Sequence, residues 1–216
     1  MSEEIKRESE HTEEIESVSF DKKYKRKKES TLKSVLDFLV FILIVVVVCF
    51  LFLHFVAVRS VVDGNSMYPT LYDGDNLIVE KVSYYFHAPE RFDIIVFELS
   101  EENFQYLGQK YQKDVHYVKR IIGLPGETIQ IKDGFVYING EKLETDTYGN
   151  EIIDASRTGL ADEPFVLGEN EYFVMGDNRN LSQDSRNIGP VKKKQFLGRA
   201  FVRFFPFNRF CFITHQ

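Results

Sequence analysis

The pattern of apolar and polar residues divides this chain into one long apolar run and a series of short ones. The long run covers 38–58, twenty-one residues in which only His54 is clearly polar. As a helix it would extend about 32 Å at about 1.5 Å per residue, which matches a bilayer core of about 30 Å. A buried core helix would present a polar face, and this run presents none. The pattern therefore predicts a transmembrane helix over 38–58.

A cleaved signal peptide is the other interpretation of the long apolar run. Such a peptide has a short basic leader and a small residue near its cleavage site. Here 37 residues rich in charge precede the run, and Phe55 stands where a small residue is expected. An uncleaved membrane anchor is therefore the prediction.

After residue 58 the apolar runs are short, β-branched and aromatic, and Gly, Pro, Asp and Asn separate them. Such runs predict strands. The predicted strands are 76–82, 92–97, 116–122, 128–131, 135–138, 172–175 and 198–205. Asp133-Gly134 favours a tight hairpin between two of them, and Asn139-Gly140 repeats the signal. Seven short strands are typical of a mostly β domain with Greek-key or barrel closure.

The predicted organisation has three parts. Residues 1–37 are rich in Glu, Lys and Ser and poor in large apolar groups, so we expect a largely disordered tail. The membrane helix over 38–58 follows, and 59–216 form one folded β domain. Within that domain 141–171 has little periodicity and many Asp, Gly and Glu residues, so we expect a variable surface insertion.

Charge predicts the orientation of the chain in the membrane. The net charge is −6, yet six basic residues cluster within 22–28, just before the apolar run. Because basic residues stay on the cytoplasmic side, 1–37 is expected inside and 59–216 outside the cell membrane. The cluster is short, acid-flanked and next to the membrane, so lipid head groups are its expected partner. A nucleic-acid patch is the alternative, and no other run of charge points to nucleic acid.

The two cysteines of the chain are not expected to pair. Cys49 lies in the predicted membrane helix and Cys211 near the far end of the outer domain, so no disulfide is expected between them.

Six phenylalanines lie within 200–216. For each of them core packing is the expectation, and an apolar surface resting in the lipid interface is the alternative for four that surround Pro206. Those four are Phe205, Phe207, Phe210 and Phe212.

Ser66 and Lys119 carry the candidate chemistry. Ser66 lies in Gly64-Asn-Ser-Met-Tyr-Pro-Thr-Leu71, and Lys119 lies in Tyr117-Val-Lys-Arg-Ile-Ile-Gly123. A serine hydroxyl needs a base, and lysine serves only when its pKa is lowered enough to leave a neutral amine. Strand alternation places Lys119 on one face with Tyr117 and Ile121, which disfavours the ammonium form. The ordinary alternatives are a turn serine and a solvated edge lysine.

A third polar segment, 175–190, follows an apolar strand. Four of its residues, Asp177, Arg179, Asp184 and Arg186, provide two opposite-charge pairs. The hydroxyls of Ser182 and Ser185 could orient an amine. A solvated loop with an ion pair is the ordinary interpretation, and a loop that rigidifies a catalytic site is the alternative.

Together these three segments resemble those of the bacterial type I signal peptidases, which are membrane-anchored serine endopeptidases with a Ser/Lys dyad. The order of the segments, the anchor and the topology agree, and the resemblance covers about residues 35 to 205. With one apparent span the chain is similar to the shorter Gram-positive form. The resemblance implies a signal-peptidase-type β domain that cleaves signal peptides from exported preproteins after small residues, of Ala-X-Ala type. It also implies proximity to the export translocon and neither metal nor cofactor.

The resemblance implies a role for each matching residue. Ser66 would be the nucleophile, with its backbone N–H in the oxyanion hole, and Lys119 the general base that later protonates the leaving amine. A second oxyanion donor is unassigned, because Gly64 stands where some members carry a serine. The implied supporting residues are Ser182, whose hydroxyl would bond the lysine amine, Asp184 with Arg186, and the ion pair of Arg120 and Asp177. The implied substrate-binding residues, each of which would also suit a core, are Met67, Leu71, Leu77, Tyr117 and Val118.

Two other classes of protein fit part of the pattern. A self-cleaving repressor-type protease shares the Ser/Lys chemistry but would be cytosolic and carry a DNA-binding domain, and the apolar span argues against it. A membrane-anchored β domain that only binds exported chains would not need both Ser66 and Lys119.

Overall fold

The structure is a computed structural model that describes residues 33–50, 56–149 and 151–213. The chain divides into two compact units, Met1–Phe52 and Leu53–Gln216. In the first unit helix α1 extends from Lys33 to Phe50, and within the described ranges it is the one helix long and apolar enough to cross a membrane. The basic cluster, His54 and most of the predicted tail lie outside the described residues.

The predicted membrane span is corrected at its carboxyl end. Ala57 and Val58 belong to strand β1, Ala57–Val61, where they lie opposite Glu80 and Val79. A continuous apolar run does not reveal where a helix ends and a strand begins, because a helix and a strand can both consist of apolar residues with no polar residue between them.

The second unit is mostly β, as predicted. After β1 its strands are β2 Asn76–Glu80, β3 Ile94–Glu98, β4 His116–Gly123, β5 Thr128–Lys132, β6 Phe135–Ile138, β7 Glu141–Lys142, β8 Phe165–Val166, β9 Glu171–Met175, β10 Val191–Lys192, β11 Phe196–Phe205 and β12 Cys211–Phe212. Each of the seven predicted strands overlaps one of these. Strands β7, β8, β10 and β12 were not predicted, since two residues are too few to show alternation.

The strands form two antiparallel sheets. The larger sheet has the order β1-β2-β11-β3-β4-β9-β10, with β12 paired to β11, and the smaller has the order β7-β6-β5-β8. The hairpin between β5 and β6 turns at Asp133-Gly134, with φ angles of 52° and 80°. Positive φ at both positions is what a tight two-residue hairpin requires, so this predicted turn is confirmed. Asn139-Gly140, with φ angles of 51° and 86°, turns between β6 and β7 in the same way.

Short helices connect the strands. They are α2 Ser83–Phe86, α3 Glu101–Tyr106 and α4 Ser185–Ile188, together with 3₁₀ turns at Ala155–Arg157, Gly159–Ala161, Lys193–Gln195 and Phe207–Arg209. Helix α4 begins after Asp184, whose side chain accepts a hydrogen bond from the Arg186 N–H. This cap fixes the backbone on both sides of Asp184, because it satisfies an N–H that has no partner inside the helix.

The segment 141–171 is not only a surface insertion. Its apolar residues Ile153, Ala161 and Leu167 are buried, and they pack in one cluster with Ile129 and Phe173. The sequence did not indicate this burial, because single apolar residues separated by polar ones leave no period to recognise. The segment therefore contributes to the core of the second unit.

A second apolar cluster lies under the loop that joins β1 to β2, where Ser66 is found. Its buried members are Val62, Met67, Leu71, Leu77, Val79, Ile94, Val96 and Ala200. Each large aliphatic side chain buried in this way contributes about 1.5 to 3 kcal/mol to folding. The loop is thereby held on the sheet by its own apolar residues.

The C-terminal phenylalanines form an exposed aromatic surface. Its members, between 43% and 79% exposed, are Phe201, Phe205, Phe207, Phe210 and Phe212. The expectation of core packing is therefore wrong for these residues. The chain turns at Pro206 and β12 folds back onto Val202 and Arg203, so the rings contact one another edge to face instead of entering the core. The arginines of this region anchor it, since Arg203 and Arg209 both pair with the buried carboxylate of Asp75.

Candidate active site

Ser66 lies in a tight loop between β1 and β2. Gly64 adopts a φ of 83°, a conformation that favours glycine, and its N–H donates to Asp73 Oδ1 at 2.8 Å. The Tyr68 N–H donates back to the Asn65 carbonyl at 3.2 Å. Ser66 is partly exposed at the wall of an open cleft of about 600 Å³. The hydroxyl is therefore accessible while the backbone around it is fixed.

Lys119 lies on β4 and reaches Ser66. Its Nζ donates to Ser66 Oγ at 2.7 Å and to the Val118 carbonyl at 2.9 Å. Strand β4 lies between β3 and β9, so this lysine stands on an interior strand and is only 4% exposed. The alternative of a solvated edge lysine is thus excluded.

Burial lowers the pKa of Lys119 to about 8, because the ammonium ion loses its hydration. The negative charges of Asp184 and Asp177 oppose this shift without cancelling it. The ring of Tyr117 lies 5.0 Å from Nζ and helps to exclude water from that side. With this pKa about one amine in ten is neutral at pH 7, and the neutral form that a general base requires grows as the pH rises through 8.

Gly176 provides the close contact between the Ser66 loop and the third polar segment. A Cβ built on Gly176 would lie 2.3 Å from the Ser66 carbonyl oxygen and 2.3 Å from Ser182 Oγ. Only a residue without a side chain fits between these two groups. The glycine therefore allows the backbone after β9 to pack directly behind the serine.

Asp184 and Arg186 form a buried ion pair beside this contact. Arg186 Nε donates to Oδ1 and Nη2 to Oδ2 of Asp184, both at 2.8 Å, and the Gly176 N–H donates to Oδ2 at 2.9 Å. Burial alone would raise the pKa of this carboxyl, but the hydrogen bonds and charge of Arg186 and the Gly176 N–H, with the nearby Ser182 hydroxyl, hold it below the ordinary value. Asp184 is thus an anion that fixes the loop around the site.

Arg120 and Asp177 form the ion pair that the resemblance implied. Arg120 Nε and Nη2 donate to the two carboxylate oxygens at 2.8 and 2.7 Å, and both residues are almost wholly buried. The Thr70 hydroxyl also donates to Asp177. The guanidinium of Arg120 lies 3.5 Å from the centre of the Tyr148 ring, which belongs to the segment 141–171. This pair connects the strand of Lys119 to the loop of Ser66.

Of the four charged residues of the third polar segment, Asp184 and Arg186 pair with each other, whereas Asp177 and Arg179 pair with residues outside the segment. Arg179 holds Asp146 through two hydrogen bonds of 2.6 and 2.8 Å. The loop turns the side chains of Asp177 and Arg179 toward different parts of the fold. Asp146 and Tyr148 are thus residues of the site framework that the sequence did not indicate.

Ser182 does not make the implied bond to the lysine amine. Within the described residues the amine bonds only Ser66 Oγ and the Val118 carbonyl. Ser182 Oγ is buried and meets no partner in good hydrogen-bond geometry, although it is near enough to lower the pKa of Asp184. The residue lies at the site, packed against Gly176, and faces the carboxylate.

The five implied substrate-binding residues separate into two groups. Met67 borders the cleft but is 1% exposed and packs in the cluster under the loop. Tyr117 and Val118, both partly exposed, line the cleft beside Ser66 and Lys119. Leu71 and Leu77 do not; they are 1% and 0% exposed within the cluster under the loop. Their assignment is corrected to core, because the loop and β2 turn these side chains toward the sheet.

Two residues at the cleft were not predicted. Gln183 accepts a hydrogen bond from the Tyr117 hydroxyl at 3.1 Å, which bridges two walls of the cleft. Asn178, almost wholly buried, contacts the Ser66 loop through both its backbone and its side chain. No sequence pattern distinguishes an asparagine that holds a loop from one that is solvated.

Comparison with known proteins places this chain in one family. A family model described as signal peptidase, peptidase S26, matches residues 35–205. Signal peptidase I S of Bacillus subtilis (strain 168) is 40% identical over 190 residues, covering 85% of this chain and 96% of that protein. A signal peptidase I of Bacillus licheniformis is 41% identical over 172 residues, covering 77% of this chain and 87% of that protein. A crystal structure of a signal peptidase I from Enterococcus faecalis V583 is 35% identical and covers 52% of this chain and 97% of that one, with a TM-score of 0.39.

Proposed function

This chain belongs to the peptidase S26 family and is a signal peptidase, a hydrolase that cleaves signal peptides, and we propose that it does so as a membrane-bound serine endopeptidase with a Ser66/Lys119 dyad. The observation that supports the dyad is the 2.7 Å hydrogen bond between the buried Lys119 amine and Ser66 Oγ. Nucleophile and base lie within hydrogen-bond reach, and burial lowers the pKa of the base toward the operating pH.

In the first half of the reaction Ser66 Oγ attacks the carbonyl carbon of the scissile peptide bond. Its proton passes to the neutral Nζ of Lys119, and the carbonyl π electrons move to the oxygen. The Ser66 N–H donates to that oxyanion. When the tetrahedral intermediate collapses, the C–N bond breaks and the Lys119 ammonium gives its proton to the leaving amine. The signal peptide remains esterified to Ser66.

In the second half a water molecule replaces the amine. Neutral Lys119 takes one proton from this water, whose oxygen bonds to the ester carbon. Collapse of the second intermediate breaks the bond to Ser66 Oγ, which takes back the proton from Lys119, and frees the signal peptide as a carboxylic acid that loses its remaining proton to water. The buried anion of Asp184 and the close contact at Gly176 hold the segment behind the dyad through both halves.

We propose that the cleft accepts small residues before the cut, as in Ala-X-Ala sequences. Tyr117 and Val118 give its walls apolar surface next to the dyad, and the buried Met67 borders it. The Tyr117 hydroxyl is tied to Gln183, so the aromatic ring cannot swing away without breaking that bond. A fixed ring beside the base leaves little room for a large side chain.

We propose that the enzyme is anchored by the apolar segment that includes α1, with the N-terminus cytoplasmic and the catalytic domain on the outer face. The basic cluster within 22–28 supports this orientation. The exposed aromatic surface of the second unit is the type of surface that rests among lipid head groups, since phenylalanines in such number are costly to leave in water. Exported preproteins emerging near the translocon would be the substrates.

The experiment that tests the dyad is cleavage of a preprotein by the detergent-solubilised full-length protein. Wild type, Ser66→Ala and Lys119→Met are compared with His116→Ala, a variant of an exposed histidine that also lines the cleft. We expect the first two substitutions to abolish cleavage and the third to leave it within about threefold. Undiminished cleavage by either dyad variant, or loss of cleavage confined to the histidine variant, would contradict the proposal.

A further inference from the structure

Asn178 hydrogen-bonds two consecutive peptide groups at the nucleophile. It lies in the loop between β9 and α4 and is 5% exposed. Its backbone N–H donates to the Ser66 carbonyl at 3.1 Å. Its side-chain Nδ2 donates to the Asn65 carbonyl at 3.0 Å. The partner is a carbonyl oxygen, so the amide must present its N–H groups and not its oxygen to the loop.

The side-chain contact, together with the Tyr68 N–H that also donates to the Asn65 carbonyl at 3.2 Å, fixes the direction of the Ser66 N–H. The Asn65 carbonyl and the Ser66 N–H belong to one planar trans peptide group, so they point in opposite directions. Because the carbonyl is held toward Asn178, the N–H points the opposite way within the peptide plane. The hydrogen bonds between described residues include none donated by this N–H. It is therefore available to a substrate.

The neighbouring Gly64 N–H is not available in the same way, because it donates to Asp73 Oδ1 at 2.8 Å. Gly64 also has no side chain that could supply a hydroxyl. Of these two N–H groups, the one of Ser66 is therefore the one left to bind an oxyanion. Anything that fixes its direction acts on the step in which the oxyanion forms.

We propose that Asn178 is a positioning residue of the oxyanion hole: its side-chain amide fixes the Asn65–Ser66 peptide so that the Ser66 N–H meets the developing oxyanion. This inference rests on the proposed function, since an oxyanion forms only when Ser66 Oγ bonds to a substrate carbonyl. The substrate in its ground state carries no such charge. Loss of Asn178 should therefore lower kcat and leave KM nearly unchanged.

The test compares Asn178→Ala with Asn180→Ala in the full-length enzyme. Asn180 is a matched control in the same loop, because its Nδ2 donates to the Ile152 carbonyl at 2.9 Å, away from Ser66. For Asn178→Ala we expect kcat to fall about 10- to 100-fold, part of the 10²- to 10³-fold loss typical of deleting a donor. KM should stay within about twofold. The acid limb of the kcat/KM profile should not move, because the hydrogen bond between Lys119 and Ser66 does not involve Asn178. For Asn180→Ala we expect kcat within about twofold of wild type.

Asn178→Asp is the second variant, which keeps the shape of the side chain and so the packing. It replaces the Nδ2 donor with an oxygen that repels the Asn65 carbonyl, so kcat should fall at least as far as in Asn178→Ala. The proposal is overturned if kcat of both Asn178 variants stays within about twofold of wild type, if Asn180→Ala loses as much, or if the acid limb of Asn178→Ala shifts. Only the alanine variant tests the acid limb, because the carboxylate added in Asn178→Asp acts on the pKa of Lys119 through its charge. A wild-type enzyme that does not cleave, or a Ser66→Ala variant that does, would instead overturn the proposed function and this inference with it.

Discussion

The Cα of Gly176 packs against Ser66 so closely that a Cβ added there would lie 2.3 Å from the Ser66 carbonyl oxygen. The backbone after β9 and the nucleophile loop therefore have no free space between them. Their contact is made of main-chain atoms and Ser182 Oγ, none of which is the far end of a flexible side chain. The position of the nucleophile thus depends on the size of a residue that takes no part in the chemistry.

Replacing Gly176 with alanine should inactivate the enzyme. The added methyl group, 2.3 Å from its neighbours, must push the Ser66 loop and Ser182 aside by about 1 Å, and a displacement of this size costs on the order of 10²-fold in rate. The measurement is kcat with a preprotein substrate, together with the melting temperature. Gly108→Ala is the control, since no atom lies within 4 Å of its added Cβ and only the positive φ of 65° opposes the substitution. We expect Gly108→Ala to keep wild-type kcat; an active Gly176→Ala enzyme would contradict the role of this contact.

Activity should depend on pH through Lys119. Its pKa is lowered to about 8, and the neutral amine is the active form, so kcat/KM should rise with pH through a limb centred near 8 and level off above it. The measurement is kcat/KM between about pH 6 and 10. His116→Ala should show the same limb. A limb near pH 6.5 that disappears in His116→Ala would assign the base to histidine instead.

The lowered pKa of Lys119 should also make the free energy of unfolding depend on pH. The folded-state pKa of Lys119 is below its unfolded value, so the unfolded chain binds more protons between about pH 8 and 10.5, and folding is penalised increasingly as pH falls through that window. Lys119→Met should therefore be more stable than wild type at pH 6, by on the order of 3 kcal/mol. The difference should shrink as pH rises toward 10.5. Urea unfolding of both proteins at several pH values measures it, and a difference that does not vary with pH would refute the linkage.

Breaking the ion pair of Arg120 and Asp177 from one side should be costly. Arg120→Met leaves a buried carboxylate without its cation, which destabilises a folded protein by about 3 to 5 kcal/mol. Urea unfolding measures the loss. The control is Lys192→Met, which removes an exposed pair with Glu102 and should barely change the unfolding midpoint. Equal effects of the two substitutions would show that burial of the pair contributes nothing.

The aromatic surface should contact lipid in the reconstituted enzyme. The chain has no tryptophan, so Phe207→Trp introduces a single indole at the most exposed of these phenylalanines. In vesicles with brominated acyl chains, we expect strong quenching of its fluorescence and a blue-shifted emission. Phe135→Trp, on β6 of the smaller sheet, is the matched control and should be quenched little. Equal quenching at both positions would argue against a lipid-facing aromatic surface.

The sequence predicted those elements in which local chemistry determines the structure. Asp133-Gly134 specifies its hairpin by backbone preference alone, and the long alternating run around Lys119 specifies β4. Alternation could not say that Lys119 is buried, because this depends on β3 and β9 lying on either side. The sequence could not predict the partners of Asp177 and Arg179 either. Arg120, the partner of Asp177, lies 57 residues earlier on β4, and Asp146, the partner of Arg179, lies in a segment without periodicity. A leucine suits a buried core and an apolar cleft wall equally well. Only the fold shows that Leu71 and Leu77 belong to the core.

The segment 141–171 looks dispensable in sequence, and a protein engineer would choose it for trimming or for inserting a tag. Its Tyr148 covers the guanidinium of Arg120, and its Arg157 carbonyl accepts a hydrogen bond from Arg186 at 3.0 Å. The Gly159 backbone approaches Arg186 so closely that an added Cβ would lie 2.2 Å from its carbonyl oxygen. The segment thus supports Arg120 and Arg186, the two buried arginines whose ion pairs hold the active-site loops. A shortened enzyme would lose the outer support of both buried arginines, and a tolerant site for tags has to be sought elsewhere on the domain.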